Sequence, residues 1–170
     1  MRFPRRLSRT RVHGYTLIEV LLVVSILGLV SAAVVPSMLT AGSMGVQAAA
    51  RVIVADLLYA QNEAIAQQNT RKVVFDVANN SYRLTDEANA TLTASWVNGQ
   101  ANNYVVEFGN DRRFEGVTIL AVDFNGGNVI EFDDLGTPST GGSITIQFDR
   151  RSYRIDVASF TGRVTVTKLS

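Results

Sequence analysis

Hydrophobic and polar residues alternate in three different rhythms along the chain, and each predicts a different element. From Leu17 to Val35 the sequence "LIEVLLVVSILGLVSAAVV" is apolar apart from Glu19, Ser25 and Ser31, with one glycine at Gly28. As a helix these residues would rise roughly 28 Å at ~1.5 Å per residue, about one hydrocarbon core. A cleaved secretory signal is the alternative, but its apolar region usually runs only about 7–15 residues. Pro36 predicts a kink rather than an end, because helical character returns after "TAGSMG".

Between Val46 and Gln68 the good helix formers Ala, Leu, Gln and Glu dominate. Val46, Ala50, Ile53, Leu57, Ala60 and Ala64 recur at alternating intervals of four and three, so they share one face. Arg51, Asp56, Glu63 and Gln67 lie off that stripe, which reads as the side of a surface helix that packs on the protein's own sheet. After Gln68 the period drops to two. "RKVVFDV" and "SYRLT" flank the turn signal "ANN", and "DEANATLTASWVNGQANN" (86–103) reads as a loop or insertion. Candidate strands "YVVEF", "VTILAVDF", "NVIEFD", "SITIQFD", "SYRIDVAS" and "RVTVTK" follow, separated by glycine-rich or polar turns. Short antiparallel strands with one apolar face would cover the amphipathic helix. The expected fold is therefore α+β, a long helix packed on an antiparallel β-sheet domain.

Charge changes the picture at the N-terminus. Five of the sixteen basic residues (Arg2, Arg5, Arg6, Arg9 and Arg11) fall in the first eleven positions, where no acid occurs. By the positive-inside rule they hold residues 1–13 in the cytoplasm and send everything beyond Pro36 outward. Without residues 1–14, eleven basic residues face fifteen acidic ones, a net charge of −4 that argues against nucleic acid as a partner. The 170-residue chain has no cysteine, which excludes disulfides, thiolate metal sites and cysteine nucleophiles. Its one histidine, His13, precedes the apolar block, so whatever follows has no histidine for acid–base work.

The string Gly14-Tyr15-Thr16-Leu17-Ile18-Glu19, with a basic leader before it and an apolar helix after it, resembles the signal of type IV pilins and type II secretion pseudopilins. Tyr15 stands where that family usually has phenylalanine. The resemblance implies cleavage between Gly14 and Tyr15 by a prepilin peptidase, N-methylation of Tyr15, and an assembly role for Glu19, the fifth residue after the cut. It implies that Pro36 is the kinking proline many pilins carry at this place. A carboxylate at mid-membrane costs about 2.5–3.5 kcal/mol and less near the interface. Snorkelling to the headgroups is one way for Glu19 to lower that cost. The family's way is an ion pair with the terminal amine of a neighbouring subunit. Farther on, "AARVIVADLLYAQNEAIAQQNTRKVVFDVANNSYRLT" and "IEFDDLGTPSTGGSITIQF…YRIDVASFTGRVTV" look like the GspH/FimT-type minor pseudopilins.

Two further constellations have competing readings. Asp123-Phe124-Asn125-Gly126-Gly127-Asn128 resembles a calcium loop, yet Asn-Gly is a strong turn signal and the terminal bidentate acid is missing. Arg150, Arg151 and Arg154 cluster beside Tyr153, with Arg163 on the next strand, a combination suited to phosphates. Some FimT-type pilins bind DNA through Gly-Arg-x-Arg; here Gly162-Arg163-Val164-Thr165 lacks the second arginine. No paired carboxylates, nucleophile–histidine pair or phosphate loop suggests an enzyme, and no cofactor or metal is expected.

Together these readings predict a leader (1–14), a transmembrane stem (15–36), an amphipathic continuation (37–69) and a periplasmic head (70–170). The resemblance implies a structural subunit of a type II secretion pseudopilus or type IV pilus, at or near its tip, single-pass in the bacterial inner membrane. Implied partners are the prepilin peptidase, other pilin-type subunits and the inner-membrane assembly platform. A DNA-binding pilin for natural transformation is the alternative.

Overall fold

The computed structural model describes residues 15–94 and 103–169, and side chains for all of these except 32–43. One helix, α1, runs from Leu17 to Gln67 and passes through position 36 without ending. The chain divides into two compact units, Met1–Met38 and Leu39–Ser170.

In the first unit, every described side chain of α1 from Leu17 to Ser31 is exposed, on all sides of the helix. Ser25 and Ser31 turn their hydroxyls back onto the carbonyls of Leu21 and Leu27, at 2.8 and 2.7 Å. These bonds satisfy polar atoms that an apolar surrounding would otherwise penalise. Among the described residues, no helix is long and apolar enough to cross a membrane.

The second unit contains the core. All six residues of the predicted apolar stripe, from Val46 to Ala64, are at most 2% exposed. Eight strands follow: β1 (Arg71–Asp76), β2 (Ser81–Asp86), β3 (Val105–Glu107), β4 (Thr118–Asp123), β5 (Val129–Phe132), β6 (Gly142–Phe148), β7 (Arg151–Val157) and β8 (Val164–Lys168). A short 3-10 helix at Arg112–Phe114 precedes β4. The expected α+β fold is present, and its strands form two antiparallel sheets, ordered β3-β2-β1-β5 and β4-β6-β7-β8. The chain passes from the second sheet to the first at the Asn125-Gly126 turn. Both residues have positive φ (56° and 84°), and Phe124 and Gly127 exchange backbone hydrogen bonds across them. This is the tight two-residue turn that Asn-Gly favours, but the strands it joins pair with different sheets.

A row of aromatic rings links the layers. Phe124 stacks on Phe75, Phe75 meets Tyr82, Tyr82 meets Phe108, and Phe108 contacts Phe114 edge-on at 5.3 Å. Asn80, in the β1–β2 turn, adds a polar link: it donates to the Val117 carbonyl and accepts from the Ile119 N–H, at 2.7 and 2.8 Å. The predicted insertion is only partly a loop. Leu92 donates to Leu84 and Tyr104 donates to Leu92, which lays residues 91–94 along β2 and leaves Ala94 buried. Residues 95–102 lie outside the described part.

The turn at Gly136 presses on the far end of α1. Gly136 has φ +78°, and a Cβ there would come within 2.7 Å of Ile65 Cδ1. Gly136→Ala should therefore lower stability by about 2 kcal/mol, combining left-handed backbone strain with overpacking. Gly126→Ala, at φ +84° with nothing within 4 Å, should lose only the backbone part, about 1 kcal/mol. Equal urea midpoints for the two variants would contradict the close approach.

Candidate functional site

Gly14 lies outside the described residues, and Tyr15 is the first described residue, 82% exposed. Thr16 and Glu19 form a reciprocal pair at the start of α1. The Glu19 N–H donates to Thr16 Oγ1 at 3.2 Å, and the Thr16 N–H donates to Glu19 Oε2 at 3.4 Å. This is a capping box, in which two orphan donors of the first turn are satisfied by side chains three residues apart. Glu19 is thus the N-terminal acid that the helix dipole favours. The sequence carried the signal, Thr-x-x-Glu directly before an apolar run, but its apolar setting drew attention to the charge and not to the cap. The box uses one carboxylate oxygen and leaves Oε1 for a second partner. The side chain of Pro36 is outside the described set.

The second polar centre is one that helical periodicity concealed. Asp56 lies off the predicted apolar stripe but is 8% exposed. The Tyr82 hydroxyl donates to its Oδ2 at 2.5 Å, and the Tyr104 hydroxyl donates to its Oδ1 at 2.8 Å. Tyr59, one turn along the helix, stacks on Tyr104 at 5.4 Å. The residues that lead into β3 wrap past the edge of the stripe and enclose the carboxylate. Burial raises the Asp56 pKa above its ordinary 3.8, while the two tyrosine bonds pull it back. The same contact, with burial as the main cause, drives the Tyr82 phenol well above its usual 10.0. Such a centre fastens helix to sheet.

The third feature is an open depression of about 610 Å³ on the β4-β6-β7-β8 sheet. Arg154 and Arg163 line it, whereas Arg150 and Arg151 do not. The predicted arginine cluster is therefore split by the alternation of β7. Arg154 and Asp156 point to the depression and form an ion pair at 2.8 Å, while Arg151 stands on the opposite face. Asp123 and Asp156 both line the depression beside the two arginines. Two cations offset by two carboxylates make a poor polyanion site. The Asp123 carboxylate also accepts from the Gly126 N–H at 2.8 Å, and the Asp133 carboxylate accepts from the Leu135 and Thr137 N–H groups at 3.0 and 2.6 Å. Both acids are engaged in building turns. Among the described residues, no three metal-binding side chains converge.

The family model for type II transport protein GspH matches residues 49–162, and that for the prokaryotic N-terminal methylation motif matches residues 9–35. The minor pseudopilin EpsH of the Vibrio cholerae type II secretion system is 14% identical at a TM-score of 0.52, over 72% of this chain and 95% of that one. The type IV minor pilin FimU of Pseudomonas aeruginosa PAO1 is 16% identical at a TM-score of 0.50, over 72% and 87%. At these identities the two structures speak to the fold alone. No curated protein matches the sequence at a significant level.

Proposed function

Because the chain belongs to the GspH family of type II transport proteins, we propose that it serves as a minor pseudopilin anchored by α1 and assembled through Glu19. As a family member with a methylation motif it is a structural subunit of prepilin type, not an enzyme. In this reading residues 1–14 are a leader, the peptidase cuts between Gly14 and Tyr15, and the new amine of Tyr15 is methylated. Residues 15–36 are the inner-membrane stem, with Pro36 as its kink. Residues 37–69 continue the helix into the periplasm, and residues 70–170 make the head. Neighbouring stems pair the Tyr15 amine of one subunit with Glu19 of the next, and the inner-membrane platform drives their addition. A place at or near the filament tip is carried over from the resemblance to minor subunits.

One observation carries the proposal. An apolar helix exposed on every side, opened by a single capped carboxylate, precedes a head whose core is complete without it. A helix apolar all round needs an apolar surrounding, either lipid or other such helices. The Thr16–Glu19 box leaves that carboxylate one oxygen with which to meet a neighbour's amine.

Full-length chain produced with and without the prepilin peptidase tests the reading. The peptidase should remove residues 1–14, leave methylated Tyr15 at the terminus, and leave the chain in the inner-membrane fraction. Gly14→Val should abolish the cut, because a β-branched side chain replaces the glycine next to the scissile bond. A cut on the far side of the apolar run, independent of the peptidase, would identify an ordinary secretory signal instead.

A further inference from the structure

The β4-β6-β7-β8 sheet has two unlike ends, and the helix tells them apart. A Cβ at Gly45 would meet the Arg113 carbonyl at 3.3 Å, and one at Gly162 would meet Gln61 Nε2 at 2.6 Å. The 3-10 segment therefore lies against the early part of the head's helix, and the β7–β8 turn lies against the late part. Strand register carries this across the sheet. Thr118 faces Gln147, Phe148 faces Arg151 and Tyr153 faces Lys168, all at the early end. A Cβ at Gly116 would meet the Phe148 ring at 2.7 Å, which sets the β6–β7 turn beside the 3-10 segment.

A basic rim forms at that early end. Residues 111–116, 148–152 and 167–169 set Arg112, Arg113, Arg150, Arg151 and Lys168 against Asp111, Glu115 and Asp149, five cations to three acids and a net charge of +2. All five cations are exposed. Asp111 is committed to Arg113, whose guanidinium it holds through both oxygens and which lies over the Phe114 ring. Arg112 and Arg151 make no ion pair or side-chain hydrogen bond among the described residues. The rim belongs to this sheet alone. At the same end of the other sheet, Asp76 and Glu107 each accept from an asparagine side chain, Asn79 and Asn110. Two apolar side chains accompany the cations. Met44, next to Gly45, is 65% exposed, and Leu169, whose N–H is held by the Ser152 carbonyl, is 54% exposed.

Chain connectivity names the surface that this end meets. Nine residues of helix separate Pro36 from Gly45, at most about 14 Å at ~1.5 Å per residue, whatever the angle between stem and head. With residues 15–36 in the inner membrane, the rim is held within reach of the headgroups of that bilayer. Guanidinium groups pair with phosphate oxygens, and basic residues beside exposed aliphatic ones suit the headgroup layer. We propose that the stem-side end of the head docks on anionic phospholipid headgroups of the bilayer that holds its own stem. Arg112 and Arg151 make the phosphate contacts, and Met44 and Leu169 enter the headgroup layer. Such docking fixes the orientation of the head before assembly. The proposal rests on the anchored reading above but uses residues outside the stem and remote from Glu19.

The chain has no cysteine, so Thr118→Cys at this end and Leu135→Cys, beside the Gly136 turn at the other, each take a single fluorophore. Full-length chain is reconstituted in vesicles of phosphatidylcholine, with or without phosphatidylglycerol, that contain a headgroup-labelled quenching lipid. The label at Thr118→Cys should be quenched more when phosphatidylglycerol is present, and raised salt should remove the difference. The label at Leu135→Cys should not respond to lipid charge. Tethering alone brings Thr118 equally near both bilayers, so the dependence on lipid charge is the readout. Arg112→Ser and Arg151→Ser should each lower the ratio of docked to undocked heads roughly fivefold, the scale of one basic residue at a charged membrane surface. Arg163→Ser, the same change of charge at the other end, should leave the ratio unchanged. Equal quenching in the two lipids would overturn the proposal, and so would an equal loss with Arg163→Ser, which would put net charge in place of the rim. Carbonate extraction of the same vesicles scores the anchor. A chain released by carbonate overturns the anchored reading and this one with it, whereas a retained chain without lipid dependence overturns this one alone.

Discussion

Asp56→Ala is expected to lower the stability of the head by about 3 kcal/mol, the cost of leaving two buried tyrosine hydroxyls without their acceptor. Tyr82 and Tyr104 are 1% and 5% exposed, so water does not readily replace the lost carboxylate. Asp56→Asn keeps an acceptor and nearly the same volume, and should lose only about 1 kcal/mol. Urea unfolding of residues 39–170 measures both, and an alanine variant within 0.5 kcal/mol of the parent would mean the hydroxyls find other partners. The pH dependence gives an independent check. Burial raises the Asp56 pKa above 3.8, so the folded head holds this proton more tightly than the unfolded chain. Its contribution is complete below pH 3.8 and is lost as pH rises through the raised value. Asp76 and Asp111, whose pKa values are lowered mainly by side-chain hydrogen bonds from Asn79 and Arg113, slope the opposite way. The diagnostic quantity is thus the parent's profile minus that of Asp56→Asn, which should fall with rising pH above 3.8. A flat difference would remove the buried carboxylate from the account.

Glu19→Val should reduce incorporation into filaments at least tenfold while leaving membrane insertion and leader removal intact. A lone carboxylate among packed apolar helices needs a positive partner, and breaking such a pair from one side costs about 3–5 kcal/mol. Because the capping box gives Glu19 a second, local role, a control is required. Thr16→Ala removes the Oγ1 half of the box, costing about 1 kcal/mol at the helix start. It keeps the backbone N–H that donates to Glu19. Sheared filament fractions probed for the subunit should show Thr16→Ala present and Glu19→Val depleted. Equal depletion of both would assign Glu19 to capping alone, and parental levels of Glu19→Val would exclude the intersubunit pair.

Much of the fold was legible because it follows local periodicity. The stripe from Val46 to Ala64 and all eight strands lie where the periods of 3.6 and two place them. Strand pairing was not legible, since the connection between β4 and β5 contains an Asn-Gly turn of the kind that ordinarily makes a hairpin. Asp56 was missed for a related reason. An apolar stripe predicts which residues one sheet covers, but Tyr104 arrives from a distant segment to cover the helix's flank as well. At the N-terminus the motif was clear and its local chemistry less so, because Thr16 looked like part of a recognition string when it is also half of a cap. The arginines illustrate the opposite error. Residues close in sequence on a strand alternate between faces, so Arg151 and Arg154 never form one patch.

The interleaving of the two sheets also sets an order of assembly in time. The β3-β2-β1 part of the first sheet lacks its last member until β5 has been made, and β5 comes only after β4. In turn β4 has no neighbour until β6 follows. A chain threaded across a membrane with its head trailing the stem would therefore emerge with β1, β2 and β3 able to pair, while β4 waits for β6 and the first sheet waits for β5. The head should collapse cooperatively, and only after residue 148 has crossed. Until then the exposed strand edges are open to pairing with a neighbouring chain, and slow synthesis would lower the chance that two open heads meet.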